Sequence, residues 1–232
     1  MNSFLLQVPL SSDSLSAPVI TEKTLSIVNL ITSGGIGGNL VMGALALLSI
    51  FAVYILIERF SAIRKASIED DSFLKSIQNF VEAKDIEAAK TLCRNTDSPI
   101  SRMIEKGVNR INKPMTDISA AIENQGKLEV FKMENNLANL ATISGAAPMI
   151  GFLGTVIGMI VAFHEMASAG GNIDVEMLSK GIYTAMTTTV AGLIVGIIAF
   201  IAYNYLVSKV DKVVFMLEAK TTEFLDLLHH NE

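Results

Sequence analysis

The sequence is short of charge. Of 232 residues, 18 are Lys or Arg and 23 are Asp or Glu, so 18% are charged where an ordinary soluble domain carries about 25%. The distribution of the deficit matters more than its size. No charged residue occurs between Lys23 and Glu58, none between Glu134 and His164, and none between Lys180 and Lys209. Each gap holds the ~20 largely apolar residues that a helix needs to cross a bilayer. The pattern excludes a soluble globular core and predicts three membrane spans. Basic blocks are missing as well: with a net charge of −5 and no Arg/Lys run interleaved with aromatics, nucleic acid is not an expected partner. The single cysteine, Cys93, excludes an internal disulfide and a cysteine-rich metal site. The first 20 residues lack a basic n-region, so residues 40–57 are expected to remain as a signal anchor.

What is present then sets the layout. We expect an all-α membrane protein with an outer N-terminal arm over 1–38 and spans over 39–57, 135–163 and 181–208. A cytoplasmic helical region covers 58–134, a short outer loop 164–180, and a cytoplasmic tail helix 209–232. Orientation follows from the basic residues: the arm and the 164–180 loop hold only Lys23 and Lys180, leaving 16 of 18 on the other side, which the positive-inside rule assigns to the cytoplasm. Within the arm, Ile20, Leu25, Ile27, Val28, Leu30 and Ile31 suggest a helix lying on the outer membrane surface.

Beyond the spans, the stop at Pro114 and the absence of proline until Pro148 predict one helix from Asp117 to Phe163, about 70 Å long. Val210, Val213, Leu217, Thr221, Phe224 and Leu228 make an amphipathic seam continuing the third span. Phe73, Leu74, Ile77, Phe80 and Val81 form one helical face, and Ile86, Ala89 and Leu92 begin another, with a turn over Asn95 to Pro99.

The spans differ in kind. The first is Leu, Ile, Val and Ala and reads as lipid-facing. The second carries Pro148, Gly151, Gly154, Thr155 and Gly158, and the third Thr187, Thr188, Thr189, Gly192 and Gly196. At helical spacing Thr155 shares a stripe with Pro148, Gly151 and Gly158, and Thr189 shares one with Ala185, Gly192 and Gly196. Such faces permit close helix approach, and plain packing accounts for them as readily as a pathway does; a threonine often satisfies itself on its own i−4 carbonyl. No Asp, Glu, Lys, Arg or His lies within any span, although proton and ion pathways normally use them. Any titrating group for proton transfer therefore has to come from a partner. Glu58 reads as a topological anchor paired with Arg59 or Arg64. His164, Glu165, Asp174 and Glu176 read as a solvated outer loop, and His229-His230 as tail rather than metal site. No catalytic residue, metal or cofactor is expected, and no nucleophile and base pairing suggests an enzyme.

The run Ala147-Pro148-Met149-Ile150-Gly151-Phe152-Leu153-Gly154-Thr155-Val156-Ile157-Gly158-Met159 resembles the A-P-L-L-G-L-L-G-T-V-x-G-M signature of the ExbB/TolQ/MotA family of proton-channel subunits. Thr187-Thr188-Thr189-Val190-Ala191-Gly192-Leu193 is similar to that family's T-T-x-x-G-L motif. Three spans rather than four favour the ExbB/TolQ branch. The resemblance implies a homopentamer in the bacterial inner membrane around a pair of single-span ExbD/TolR-type helices, each with a membrane aspartate that carries protons. It implies a motor or stator that energises TonB-type transport or Tol-type envelope maintenance through a TonB- or TolA-like protein, and it marks Thr155 and Thr189 as polar pore residues. Pro148, Gly151, Gly158, Ala185, Gly192 and Gly196 are then pore-lining small residues. Two departures stand out: Thr184 occupies a position that is often Glu in ExbB-like sequences, and Ile198 replaces a frequent Pro, suggesting a straighter third helix. From the residues alone, a self-sufficient channel or carrier and a structural scaffold remain open alternatives.

Overall fold

A computed structural model of the chain describes residues 35–67, 71–168 and 175–230. All regular structure among them is helical: α1 (Gly35–Ala66), α2 (Asp71–Glu82), α3 (Ile86–Asn95), α4 (Pro99–Val108), α5 (Met115–Glu134), α6 (Leu137–Ser168) and α7 (Val175–His230). The apolar parts of α1, of the α5–α6 stretch and of α7 are long and apolar enough to cross a membrane. The expected arm helix, Asp174 and the side chains of Glu176 and His230 lie outside the described residues.

The short helices begin where local chemistry satisfies their first backbone N–H groups. Asp85 caps α3, its carboxylate accepting from the Ala88 N–H at 3.0 Å. Ser98 and Ser101 form a reciprocal capping box on α4, with Pro99 at the first helical position, where its missing N–H costs nothing. α2 buries Phe73, Leu74, Ile77 and Val81, as the spacing predicts. The α7 seam of Val210, Val213, Leu217, Phe224 and Leu228 is buried too. Its partners are α2, α4 and α5 of the same chain, and at Gly107 of α4 a Cβ would stand 2.9 Å from the Phe224 ring.

The uninterrupted helix expected from Asp117 to Phe163 is instead two. α5 ends at Glu134 and α6 begins at Leu137. Between them Asn136 takes φ 64°, a left-handed conformation that asparagine tolerates better than most residues. The Lys132 carbonyl in the last turn of α5 is satisfied from outside: Arg59 Nη1 on α1 donates to it at 2.9 Å. No proline marks this break, which is why helix-stop rules miss it. α7, by contrast, runs unbroken for 56 residues, about 84 Å at 1.5 Å per residue. The first span is not wholly lipid-facing: Val41, Leu45, Ala52 and Ile55 are buried, while Leu40, Leu47, Ile50 and Ile57 on its other face are exposed.

Just beyond the apolar stretches, a chain of charged contacts joins α1, α4 and α5. Lys65 of α1 meets Asp97 at 2.5 Å, Asp97 meets Arg102 of α4 at 2.7 Å, and Arg102 meets Glu129 of α5 at 2.7 Å. Glu129 also takes Lys132 at 2.9 Å and Gln125 at 2.7 Å; Lys132 returns to α1 through the Arg59 contact. The Lys65–Asp97 link is exposed and adds little, but the Glu129 side chain is only 2% accessible, and a buried carboxylate is costly unless fully paired. Burial pushes the Glu129 carboxyl upward; hydrogen bonds and charges from Arg102 and Lys132 outweigh it and hold the group below its ordinary value of 4.5. A group with a lowered folded value contributes stability above its unfolded value and loses it as pH falls through the folded one. Glu129→Gln is therefore expected to lower stability by about 2 kcal/mol at pH 7. The gap to wild type should close below pH 4.5, read from thermal unfolding of the detergent-solubilised protein between pH 7 and pH 3; a gap independent of pH would contradict this assignment.

Candidate functional site: the seam between α6 and α7

The most extensive helix pairing in the fold is α6 against α7, and its closeness is set by absent side chains. Opposite Gly192, a Cβ would sit 2.5 Å from the Ala147 carbonyl oxygen and 2.9 Å from Gly151 Cα. At Gly151 a Cβ would sit 2.7 Å from the Thr188 carbonyl oxygen. Not even a methyl group fits between the two backbones here. The antiparallel register continues in both directions, with Gly158 on Ala185 and Gly196 on the Pro148 ring. Gly154 brings in α1: its missing Cβ would lie 2.5 Å from Thr188 Oγ1 and 2.9 Å from Val41. The six small residues expected along a pathway, Pro148, Gly151, Gly158, Ala185, Gly192 and Gly196, thus meet one another across the helix pair of a single chain. This is the packing role that small residues have between membrane helices.

The threonines lie at the centre of this seam. Thr155 Oγ1 donates to the Ala185 carbonyl at 3.0 Å, and Thr189 Oγ1 donates to the Gly151 carbonyl at 3.3 Å. The two hydroxyls are also hydrogen-bonded to each other. Ala185 stands four residues before Thr189, and Gly151 four before Thr155. Each hydroxyl therefore addresses the carbonyl that the other threonine would ordinarily take on its own helix. Thr142, Thr184 and Thr187 behave in the ordinary way, donating to Ala138, Lys180 and Tyr183. Thr184, where a glutamate is frequent in similar sequences, is thus turned onto its own helix.

Thr188, adjacent to the pair, is 2% accessible and reaches the Ala185 carbonyl at 2.7 Å and the Gly151 carbonyl at 3.0 Å. It braces the same two carbonyls from the buried side. Its role was not legible in the sequence, because a Thr-Thr-Thr run does not say which hydroxyl turns inward. Thr155 and Thr189 are only half-buried, so their edge of the seam is open to a further group.

Proton counting defines what this arrangement does. Two hydroxyls carry two protons. Either Thr155 donates to Ala185 and Thr189 donates to Thr155, or Thr189 donates to Gly151 and Thr155 donates to Thr189. Each state keeps a lone pair free to accept from water or from a protonated carboxyl. Neither hydroxyl titrates near neutral pH, so the pair can orient a polar group without itself exchanging a proton. His164 and Glu165 near the C-terminal end of α6 are exposed, as is His229 near the end of α7, and none of them joins the seam.

Gly192→Ala is expected to push α6 and α7 apart, break the Thr155–Thr189 contact and cost about 1–3 kcal/mol. Gly145→Ala, where a Cβ meets nothing within 4 Å, should be neutral or slightly stabilising by helix propensity. Thermal unfolding of the two variants side by side checks the difference, and equal midpoints would contradict the packing account.

Comparison with known proteins gives the family. The family described as MotA/TolQ/ExbB proton channel family matches residues 95–219, more than half of the chain and inclusive of the whole seam. The Tol-Pal system protein TolQ of Pseudomonas aeruginosa is 25% identical over 223 residues, covering 91% of this chain and 96% of that protein. A biopolymer transport protein ExbB homolog of Methanothermobacter thermautotrophicus is 27% identical over 187 residues, 80% of this chain and 64% of its own length. The biopolymer transport protein ExbB of Helicobacter pylori is 40% identical over 79 residues, 34% of this chain and 54% of its own. With three helices fit to cross a membrane and the threonine seam inside the matched region, the chain is a membrane protein that belongs to the MotA/TolQ/ExbB proton channel family.

Proposed function

We propose that this chain is the channel-side subunit of a proton-driven motor of the ExbB/TolQ type in the bacterial inner membrane. Its N-terminus and 164–180 loop face the periplasm, and residues 58–134 and 209–232 face the cytoplasm, in keeping with 16 of its 18 Lys and Arg residues falling on that side. Thr155 and Thr189 are the polar contact point of the proton pathway. The proton carrier is an aspartate on a single-span partner helix of the ExbD/TolR kind, present as a pair inside a pentamer of this chain. The observation that carries the reading is the cross-bonded hydroxyl pair, half-open at its edge, between two spans without any acid.

In this reading Pro148, Gly151, Gly158, Ala185, Gly192 and Gly196 fix the register that brings the threonines together, and so present the half-open hydroxyl pair to the partner helix. A protonated partner aspartate donates to a free lone pair of the hydroxyl pair; once deprotonated, it accepts from a hydroxyl that turns to it from its carbonyl, Ala185 for Thr155 or Gly151 for Thr189. Each proton crossing the membrane releases about 2.3 kcal/mol per 100 mV, which the partner transmits to envelope transport or maintenance.

Thr155→Val combined with Thr189→Val keeps the shape of the seam and removes both hydroxyls. The double variant is expected to accumulate and assemble normally while losing proton-dependent work by at least about tenfold, the scale of one lost hydrogen bond of about 1.4 kcal/mol. Serine at both positions should retain most of it. Growth or envelope complementation in cells lacking the native gene measures this, and full activity of the valine pair would sink the pathway assignment.

A further inference from the structure

On the side of the membrane where the charged chain of contacts lies, α1 and α7 run in the same direction, and a cavity of about 330 Å³ opens between them. Its floor is Ile63 and Leu206, both buried. Its wall toward the apolar stretches is the Phe60–Tyr205 pair, stacked with ring centroids 6.3 Å apart and planes 23° from parallel. Two cations close the other end. Arg64 stands one turn beyond Phe60 on α1, and Lys209 one turn beyond Tyr205 on α7, its Nζ 5.6 Å from the Tyr205 ring centroid.

Three properties set this cavity apart. First, among the described residues neither Arg64 nor Lys209 has a carboxylate partner, although neighbouring Lys65 pairs with Asp97 and Arg59 with Glu58. Two cations converging on one cavity without an anion repel each other and favour a bound anion. Second, the depth is that of a bilayer boundary: Lys209 is the first charge after 28 uncharged residues, and Phe60 lies three residues beyond Ile57, the last of the first apolar run. Aromatic rings with basic residues just beyond them are the signature of the headgroup level. Third, Ile57 and Ile201, 62% exposed on each helix, continue the same faces toward the apolar side, where acyl chains lie.

We propose that this cavity holds the phosphodiester headgroup of an anionic phospholipid, with Arg64 and Lys209 on the phosphate, the Tyr205 hydroxyl and Ser67 at its polar edge, and the acyl chains along Ile57 and Ile201. Such a lipid ties α1 to α7 from outside at the level where the Arg59 contact ties α1 to α5 from inside. The inference rests on α1 and α7 crossing a membrane, not on the threonine pair, so it stands or falls separately from the proton pathway.

Native mass spectrometry of the purified assembly in detergent, titrated with phosphatidylglycerol, phosphatidylcholine or glycerol 3-phosphate, tests it. Saturable binding of phosphatidylglycerol, tighter than that of phosphatidylcholine, is expected. Arg64→Gln with Lys209→Gln should weaken phosphatidylglycerol about 30-fold, the sum of two surface cations, and leave phosphatidylcholine unchanged. Lys75→Gln with Lys106→Gln removes the same charge from exposed positions on α2 and α4 and should have no effect. Equal loss in that control pair, equal affinity for the two lipids, or displacement of the lipid by equimolar glycerol 3-phosphate would each overturn the proposal, the last by showing a site for free phosphate.

Discussion

The structure depends on the contact between two glycines. Where Gly151 meets Gly192 the backbones of α6 and α7 lie closer than any side chain permits, and the rest of the seam follows from that one distance. Antiparallel helices held this tightly have no freedom of register. Thr155 is brought opposite Thr189, and each hydroxyl reaches past its partner to a carbonyl on the other helix. A wider crossing would return both hydroxyls to their own i−4 carbonyls, as with Thr142, Thr184 and Thr187. The pair would then be two separate, self-satisfied threonines with nothing to offer a third group. Membrane helices lack a hydrophobic drive to associate with each other, so dispersion and hydrogen bonding at close range supply the adhesion. Small residues and threonines on one stripe therefore serve packing and chemistry together.

Outside the apolar stretches the logic reverses, and charge does the joining. Glu129 is buried because Arg102, Lys132 and Gln125 surround it, and Arg59 reaches the backbone of α5 just where that helix ends. These contacts fix the angle between α5 and α6 at the Asn135–Asn136 break. α7 passes through both regions without interruption, so any displacement at the threonine seam is carried rigidly along about 53 Å of helix to the packed seam around Phe224. One continuous helix and one jointed helix, side by side, make a frame with a single defined bend.

Much of this was legible in the residues. Charge-free runs located the three apolar helices because burying an unpaired charge in hydrocarbon is prohibitive, and three-to-four spacing gave the buried faces of α2 and the α7 tail because a helix exposes only one stripe to its neighbours. The break between α5 and α6 was not legible: Glu-Asn-Asn-Leu contains no proline or glycine, and only the left-handed turn of Asn136 makes it a stop. Nor was the Glu129 cluster, whose main partner lies 27 residues away on another helix, beyond any local spacing rule. The stripes around Thr155 and Thr189 were readable, but the direction of their hydrogen bonds depends on the crossing distance of two helices, which no one-dimensional pattern encodes. The first helix was read as lipid-facing because both of its faces are equally apolar, so composition cannot tell the face buried by Val41 and Ile55 from the one left exposed.

The central claim is that this chain supplies an acid-free polar contact and that the titrating group belongs to a partner. Proton flux into liposomes under an imposed potential tests it most directly, comparing the chain alone with the chain assembled with an aspartate-bearing single-span partner. The account predicts no flux above lipid background from the chain alone, flux from the complex, and its loss when the partner aspartate becomes asparagine. Sustained flux from the chain alone would contradict it.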